Sequence, residues 1–307
     1  MTRNRRGGAA VAVAVALVVV LAGCSALPGA GPEPDAAATA GAGDGDRGNG
    51  TPTLTPVPVV TGEATAAAAT PTPETLVAGL APGGVRDPFT LATGHRDALA
   101  DTSYRRIRTE RIEGPNGTLW NETSRVRVNA DRSRLLFEQD IESAPDYPVD
   151  AYRKNLAIYY DGNASYFRGF VDGELSYAKV SGNAGSVLSD VSERDRLMVL
   201  FERFQWKAER VPSGYRMTSS YLLDDTVLNA PPLVEEPENA TMTVWLTDDG
   251  RVRFYRLAYN ATLETPNRRV RFVRTVRFDR VGTATVPEPD WYPAAVNRTG
   301  AGSEIGP

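Results

Sequence analysis

Between Tyr104 and Asp279 the chain repeats one pattern: short runs rich in aromatic and β-branched residues, alternating apolar with polar and cut by turn residues. A period of two puts alternate side chains on one face, the signature of strands with one buried side. Tyr104–Glu113 leads into Gly114-Pro115-Asn116-Gly117, a hairpin turn. Thr118–Val128 returns, with Trp120, Val126 and Val128 on one face. Asn129-Ala130-Asp131 then turns into Leu135–Ile141, where Leu135, Phe137 and Ile141 share a face. Leu156–Tyr160, Tyr166–Val171 and Leu175–Val180 follow, joined at Asp161-Gly162 and Asp172-Gly173. Later come Lys207–Val211, Tyr215–Leu222, Thr241–Leu246, a turn at Asp248-Asp249-Gly250, Val252–Leu263 and Arg269–Asp279. In the last run Val270, Phe272, Val276 and Phe278 alternate with Arg269, Arg271, Val273, Thr275 and Arg277, an apolar face backed by a basic, wet one.

Two segments break this rhythm with helical spacing. A short amphipathic helix is predicted at Leu91–Ala100, with His95 on its surface. A long one, of about five turns, is predicted at Ser186–Phe204. The latter presents Val187, Val191, Met198 and Phe201 on one side, and Ser189, Ser192, Glu193, Arg196 and Arg203 largely on the other. Asn229–Asn239, with three prolines, reads as an irregular loop or lid. About ten antiparallel strands without βαβ alternation give the α+β class. One large sheet must cover its apolar face, and it can do so by curling around the helices into a half-barrel.

The chain before this region has a different composition. Arg3, Arg5 and Arg6 precede an unbroken apolar run, Ala9–Val20, continuing to Gly23. That is the build of a signal peptide rather than of a membrane span. Leu21-Ala22-Gly23-Cys24 follows at once and resembles the lipobox of bacterial and archaeal lipoproteins, in which the cysteine is lipidated and becomes the mature N-terminus. Cys24 is the only cysteine, so no internal disulfide forms. Whether export is general or twin-arginine stays open, because Gly7 and Gly8 fit the twin-arginine pattern poorly. From Ser25 to about Gly84 the residues are mostly Ala, Gly, Thr and Pro. Such a stretch has little to bury against its chain entropy and reads as a disordered tether. The expected organisation is a signal peptide over 1–23, a lipidated tether over 24–84, a domain over 85–296 and a flexible tail over 297–307. The surface faced is the outer side of the cell membrane.

The order of helix, strand meander, covering helix and further strands resembles the LolA/LppX/LprG-like lipoprotein-carrier superfamily. The ending Val286-Pro287-Glu288-Pro289-Asp290-Trp291 is similar to how its members close. The opening helix with His95 running into Ser103-Tyr104 is similar to haloarchaeal surface lipoproteins. The likeness implies a curved sheet and helices enclosing an apolar cavity for acyl chains, with no catalytic residue to carry across. Cavity candidates are Trp120, Val126, Val128, Leu135, Phe137, Val270, Phe272, Val276 and Phe278, with Val191, Met198 and Phe201 from the long helix.

Asn-X-Ser/Thr occurs at Asn116, Asn121, Asn163, Asn239, Asn260 and Asn297, and at Asn49 in the tether. This points to an exported, N-glycosylated protein, though turns such as Asn-Gly also produce the motif by themselves. Formal net charge is −4, with 38 acidic against 34 basic residues, which argues against a nucleic-acid partner. Only three basic residues are lysines, consistent with a GC-rich genome. A single histidine excludes a multi-histidine metal site, and no nucleophile context surrounds it, so neither an enzyme nor a cofactor is expected. Two functions stay open. One is a module binding or transferring a hydrophobic ligand, chiefly lipid. The other is a glycosylated envelope interaction or structural protein with a packed core and no ligand.

Overall fold

A computed structural model describes residues 75–145, 147, 155–171, 173–181, 190–228, 234–264 and 267–300. Cys24, Asn49 and the expected signal peptide and tether up to residue 74 lie outside these residues, as do 182–189 and 229–233.

The domain is α+β. Eleven strands form one open antiparallel half-barrel sheet: β3 (Tyr104–Gly114), β4 (Gly117–Val128), β5 (Leu135–Ser143), β6 (Ala157–Tyr160), β7 (Ala164–Val171), β8 (Glu174–Ser181), β9 (Lys207–Val211), β10 (Gly214–Ser219), β11 (Val234–Leu246), β12 (Val252–Leu263) and β13 (Arg268–Asp279). Their order is β8-β7-β6-β5-β4-β3-β13-β12-β11-β10-β9. Two meanders therefore meet at the centre, where the first strand, β3, pairs with the last, β13. That non-local pairing leaves β8 and β9 as the edges, as far from each other as the sheet allows.

Alternation sets the two faces. On the concave side Tyr104, Arg106, Arg108, Glu110 and Ile112 of β3 stand beside Val128, Val126, Ser124, Glu122 and Trp120 of β4. On the other flank Ile112, Glu110, Arg108 and Arg106 stand beside Phe272, Arg274, Val276 and Phe278 of β13. This face is covered by α1 (Pro88–Ala100) and α2 (Arg194–Arg203), which pack on each other. Leu91, Ala92, Leu99, Leu197, Leu200 and Phe201 join the sheet residues in one core. The convex face is wet over most of its width. Towards β7 and β8, the segment through Trp291 and α3 (Tyr292–Thr299) covers it, with the Tyr292 ring edge-on to Tyr159 and Tyr166 at 5.0 Å. The closing segment around Val286 and Trp291 thus packs on the convex side, against Leu136 and Tyr159.

Several sequence expectations change in detail. The covering helix α2 has ten residues, and α1, expected to be the shorter, has thirteen. Asp190 and Glu193 adopt left-handed backbone angles and stop α2 upstream of Arg194. The Asp190 carboxylate caps the Asp195 N–H instead, at 2.7 Å. Residues 234–239, expected in a loop, begin β11 with irregular register. The domain also reaches beyond 85–296. Upstream, β1 (Leu80–Ala81) and β2 (Gly84–Val85) form a hairpin whose Leu80 is buried in the core. Gly84 has a positive φ and lies so close to the Trp206 carbonyl that a Cβ there would stand 2.4 Å from it. Downstream, α3 extends to Thr299.

The register also gives the sheet two ends. At the Tyr104 end lie the β4–β5, β6–β7 and β11–β12 turns, and here the chain enters. The Tyr215 hydroxyl donates to the Leu76 carbonyl at 3.0 Å, and Val77 lies against Gly250. At the Ile112 end lie the β3–β4 turn and the start of β11.

Candidate functional site

The concave face is not uniformly apolar. Its middle rungs carry charge: Arg106, Arg108 and Glu110 on β3, Glu122 on β4 and Arg274 on β13, with Tyr255 and Tyr259 on β12 beside them. From above, Glu193 and Arg196 at the start of α2 turn inward, which corrects their expected place on the helix's wet side. Glu193 lies 3.3 Å from Arg106 and accepts a short hydrogen bond from the Tyr255 hydroxyl. Arg196 donates to the Leu228 carbonyl at 3.1 Å. Arg274 is 2.7 Å from Glu110, and Arg108 is 3.1 Å from Glu122 and 3.5 Å from Glu110. Arg274, which the sequence reading of the last strand did not place, lies on its inner face in step with Phe272 and Val276.

These groups tune one another. Burial pushes the Glu110 carboxyl up, but Arg274 and then Arg108 pull it further down, to about 2. Burial also raises the Glu193 carboxyl, and Arg106 and Arg108 reverse that to a net lowering. Burial lowers Arg196 to about 10, and Arg274 adds to it. The phenols of Tyr255 and Tyr259 are held neutral, first by burial. Burying such pairs is costly unless geometry and hydrogen bonds compensate, so this band is not what makes the domain stable. Arg108 stands on a central strand of the sheet and is part-exposed, with 29% of its side-chain surface accessible.

The apolar candidates lie around this band. Trp120, Val126, Val128, Leu135, Phe137, Phe201, Val270, Phe272, Val276 and Phe278 are all buried in the one core, and Val191 and Met198 pack against it half-buried. A separate open depression of about 500 Å³, lined by Ser220 to Asp225, Pro237, Asn239 and Ala240, includes none of them. His95, expected on a helix surface, is fully buried. Its Nε2 donates to the Ser192 carbonyl at 2.9 Å and its Nδ1 accepts the Val252 N–H at 3.1 Å, so it clasps α1 to the α2 entry and to β12.

Of the glycosylation candidates, Asn116, Asn163, Asn239, Asn260 and Asn297 are exposed. Asn121 is half-buried and accepts a hydrogen bond from Arg111. Asn116, Asn121, Asn239 and Asn260 gather at the Ile112 end of the sheet, with Asn121 and Asn260 on the convex face.

No family model matches the sequence, and no curated protein matches it. Among solved structures, a LolA superfamily protein from Nitrosomonas europaea is similar at 8% identity with a TM-score of 0.24, over 66% of this chain and 96% of that one. A DUF1329 family protein from Desulfovibrio piger is similar at 8% identity with a TM-score of 0.26, over 67% and 97%.

Proposed function

We propose that the protein is a cell-surface lipoprotein, lipidated at Cys24, whose domain binds or transfers a hydrophobic ligand, a membrane lipid, between the concave sheet and α1 and α2. The observation that carries this reading is the open space at Arg108. In a filled core a side chain on a central strand is sealed from water, whereas Arg108 keeps 29% of its surface accessible. Apolar walls on both sides of a polar band suit a molecule with both characters. The lipobox supports placement on the outer face of the membrane, and the exposed sequons together with the acidic, lysine-poor composition support an archaeal, N-glycosylated surface. The reading is of a binding module, not of an enzyme.

A second reading rests on a different observation. Ten of the twelve apolar cavity candidates are 5% exposed or less, as in a filled core. This favours a glycosylated envelope interaction protein without a ligand. Native mass spectrometry of the protein extracted from its own membranes separates the two. A bound lipid mass supports the carrier. Protein that emerges lipid-free and takes up none from vesicles overturns it in favour of the second reading.

A further inference from the structure

We propose that the polar band recognises the anionic headgroup of an amphiphile, a carboxylate or phosphate oxyanion, through Arg196 and the Tyr259 hydroxyl, with Arg108 at its margin. This rests on the reading that the concave face takes an amphiphile, and it names the part of that ligand the band would hold.

The argument begins with what each cation already does. Arg274 is committed to Glu110, Arg106 to Glu193, and Arg108 to Glu122 and Glu110. Arg196 differs. Among the described residues its hydrogen-bond partner is the neutral Leu228 carbonyl, and no carboxylate lies within 4.0 Å of it. Four guanidinium groups thus face three carboxylates among the described residues of the band, and the surplus positive charge sits on Arg196. Burial and Arg274 both lower its pKa, and Glu193 and Glu110, neither of them within 4.0 Å, offset this only in part. A ligand bringing one negative charge supplies it.

The second observation is independent of charge. The Tyr259 hydroxyl is buried and has no hydrogen-bond partner, on a residue only 1% exposed. The Ser124 hydroxyl, directly across from Arg108 on β4, is in the same condition. Buried polar groups in native proteins nearly always have partners, so the Tyr259 and Ser124 hydroxyls on this face are donors that lack an acceptor. The Tyr259 ring lies 4.8 Å from that of Phe272, which the Arg274 guanidinium overlies at 5.7 Å, and Arg196 acts electrostatically on the Tyr259 phenol. Guanidinium and hydroxyl donors together suit the several lone pairs of an oxyanion. Tyr259 also shares a rung with Phe272 and Ile112, so the polar band passes directly into apolar wall, as a headgroup passes into its tail.

The test uses the full-length protein freed of bound lipid. It is incubated with equal amounts of a lysophosphatidylglycerol and a monoacylglycerol of the same chain length, and the bound species are counted by native mass spectrometry. Inorganic phosphate is titrated in a second arm. The anionic amphiphile is expected to exceed the neutral one by about tenfold or more, the scale of one charge-assisted interaction. Arg196→Gln brings the ratio near one, and Arg196→Lys keeps most of it. Tyr259→Phe, which removes only an unpartnered hydroxyl and so preserves the fold, lowers it several-fold. Equal binding of the two amphiphiles, or a ratio unmoved in both Arg196→Gln and Tyr259→Phe, overturns the proposal. If neither amphiphile binds, the lipid reading itself fails. Phosphate binding that depends on Arg196 then leaves an oxyanion site for a free anion, and absence of phosphate binding removes that too.

Discussion

The imidazole of His95 accepts the backbone N–H of Val252 through Nδ1, at 3.1 Å, across 157 residues of sequence. Because Nε2 donates to the Ser192 carbonyl, the ring is held as one neutral tautomer. The Phe278 ring lies edge-on at 4.7 Å. Burial, together with Arg251, outweighs the Ser192 bond and Glu193 and lowers its pKa to about 4. Below the ordinary value of 6.5 the unfolded chain therefore binds a proton that the folded one refuses. The neutral ring's contribution is complete above that value and is lost as pH falls towards 4, by roughly 2 kcal/mol at about pH 5. Urea denaturation at neutral and mildly acid pH should show this loss. His95→Gln should be less stable at neutral pH and lack this part of the pH dependence; an unchanged dependence would place the titration elsewhere.

The Arg274–Glu110 pair gives a sharper mutational signature. Arg274→Met leaves Glu110 buried with Arg108 at 3.5 Å and the more distant Arg196 for compensation, and is expected to cost about 3–5 kcal/mol. The double change Arg274→Met with Glu110→Leu is expected to be the more stable of the two variants, because no uncompensated charge remains. Equilibrium unfolding measures both. A double variant as unstable as the single would show that the pair stabilises the fold on its own account.

The amino-terminal boundary can be tested by truncation. A chain beginning at Thr75 keeps the β1–β2 hairpin and should match the stability of the longer protein. One beginning at Arg86 loses Leu80, 1% exposed, and the hairpin's contact with Trp206, and should lose at least about 2 kcal/mol. Thermal unfolding of the two fragments decides it, and equal melting temperatures would make the hairpin an ornament.

The proposed anchoring at Cys24 can be tested directly. Cys24→Ser should release the protein from membranes or leave an unprocessed precursor, as fractionation and intact mass would show. Normal processing with full membrane retention would remove the lipoprotein reading.

Glycan occupancy should follow exposure. In peptides from the protein made by its own host, Asn116, Asn163, Asn239, Asn260 and Asn297 should carry glycans more often than Asn121, whose amide is tied to Arg111. Glycopeptide mass spectrometry reads this directly, and heavy occupancy of Asn121 with bare neighbours would contradict it.

Much of the sheet was legible because period-two alternation is strong and its turns are chemically marked. The same alternation already placed Arg274 in step with Phe272 and Val276, and Glu122 and Ser124 in step with Trp120 and Val126. The inward charges could have been found by counting parity rather than by expecting arginine to face water. Other features leave no such trace. Apolar spacing alone does not tell Ser186–Phe204 to start a helix at Arg194, because Asp190 and Glu193 turn left-handed, Asp190 to cap Asp195 and Glu193 to reach Arg106 and Tyr255 on the sheet. The burial of His95 depends on Ser192 and Val252, both distant in sequence. Leu80 and Gly84 were lost in the low-complexity composition that surrounds them.

The point where the chain enters the domain also has a mechanical meaning. Leu76 is held by the Tyr215 hydroxyl, and the β1–β2 hairpin rests beside β9, the last strand of the sheet. Tension arriving along the chain from upstream therefore loads one margin of the domain, where few hydrogen bonds share the force. The β3–β13 seam, with its ladder from Arg105 to Glu113 and its buried ion pairs, lies four strands further in. Under a steady pull the hairpin is thus the part expected to yield first, ahead of the central seam of the half-barrel.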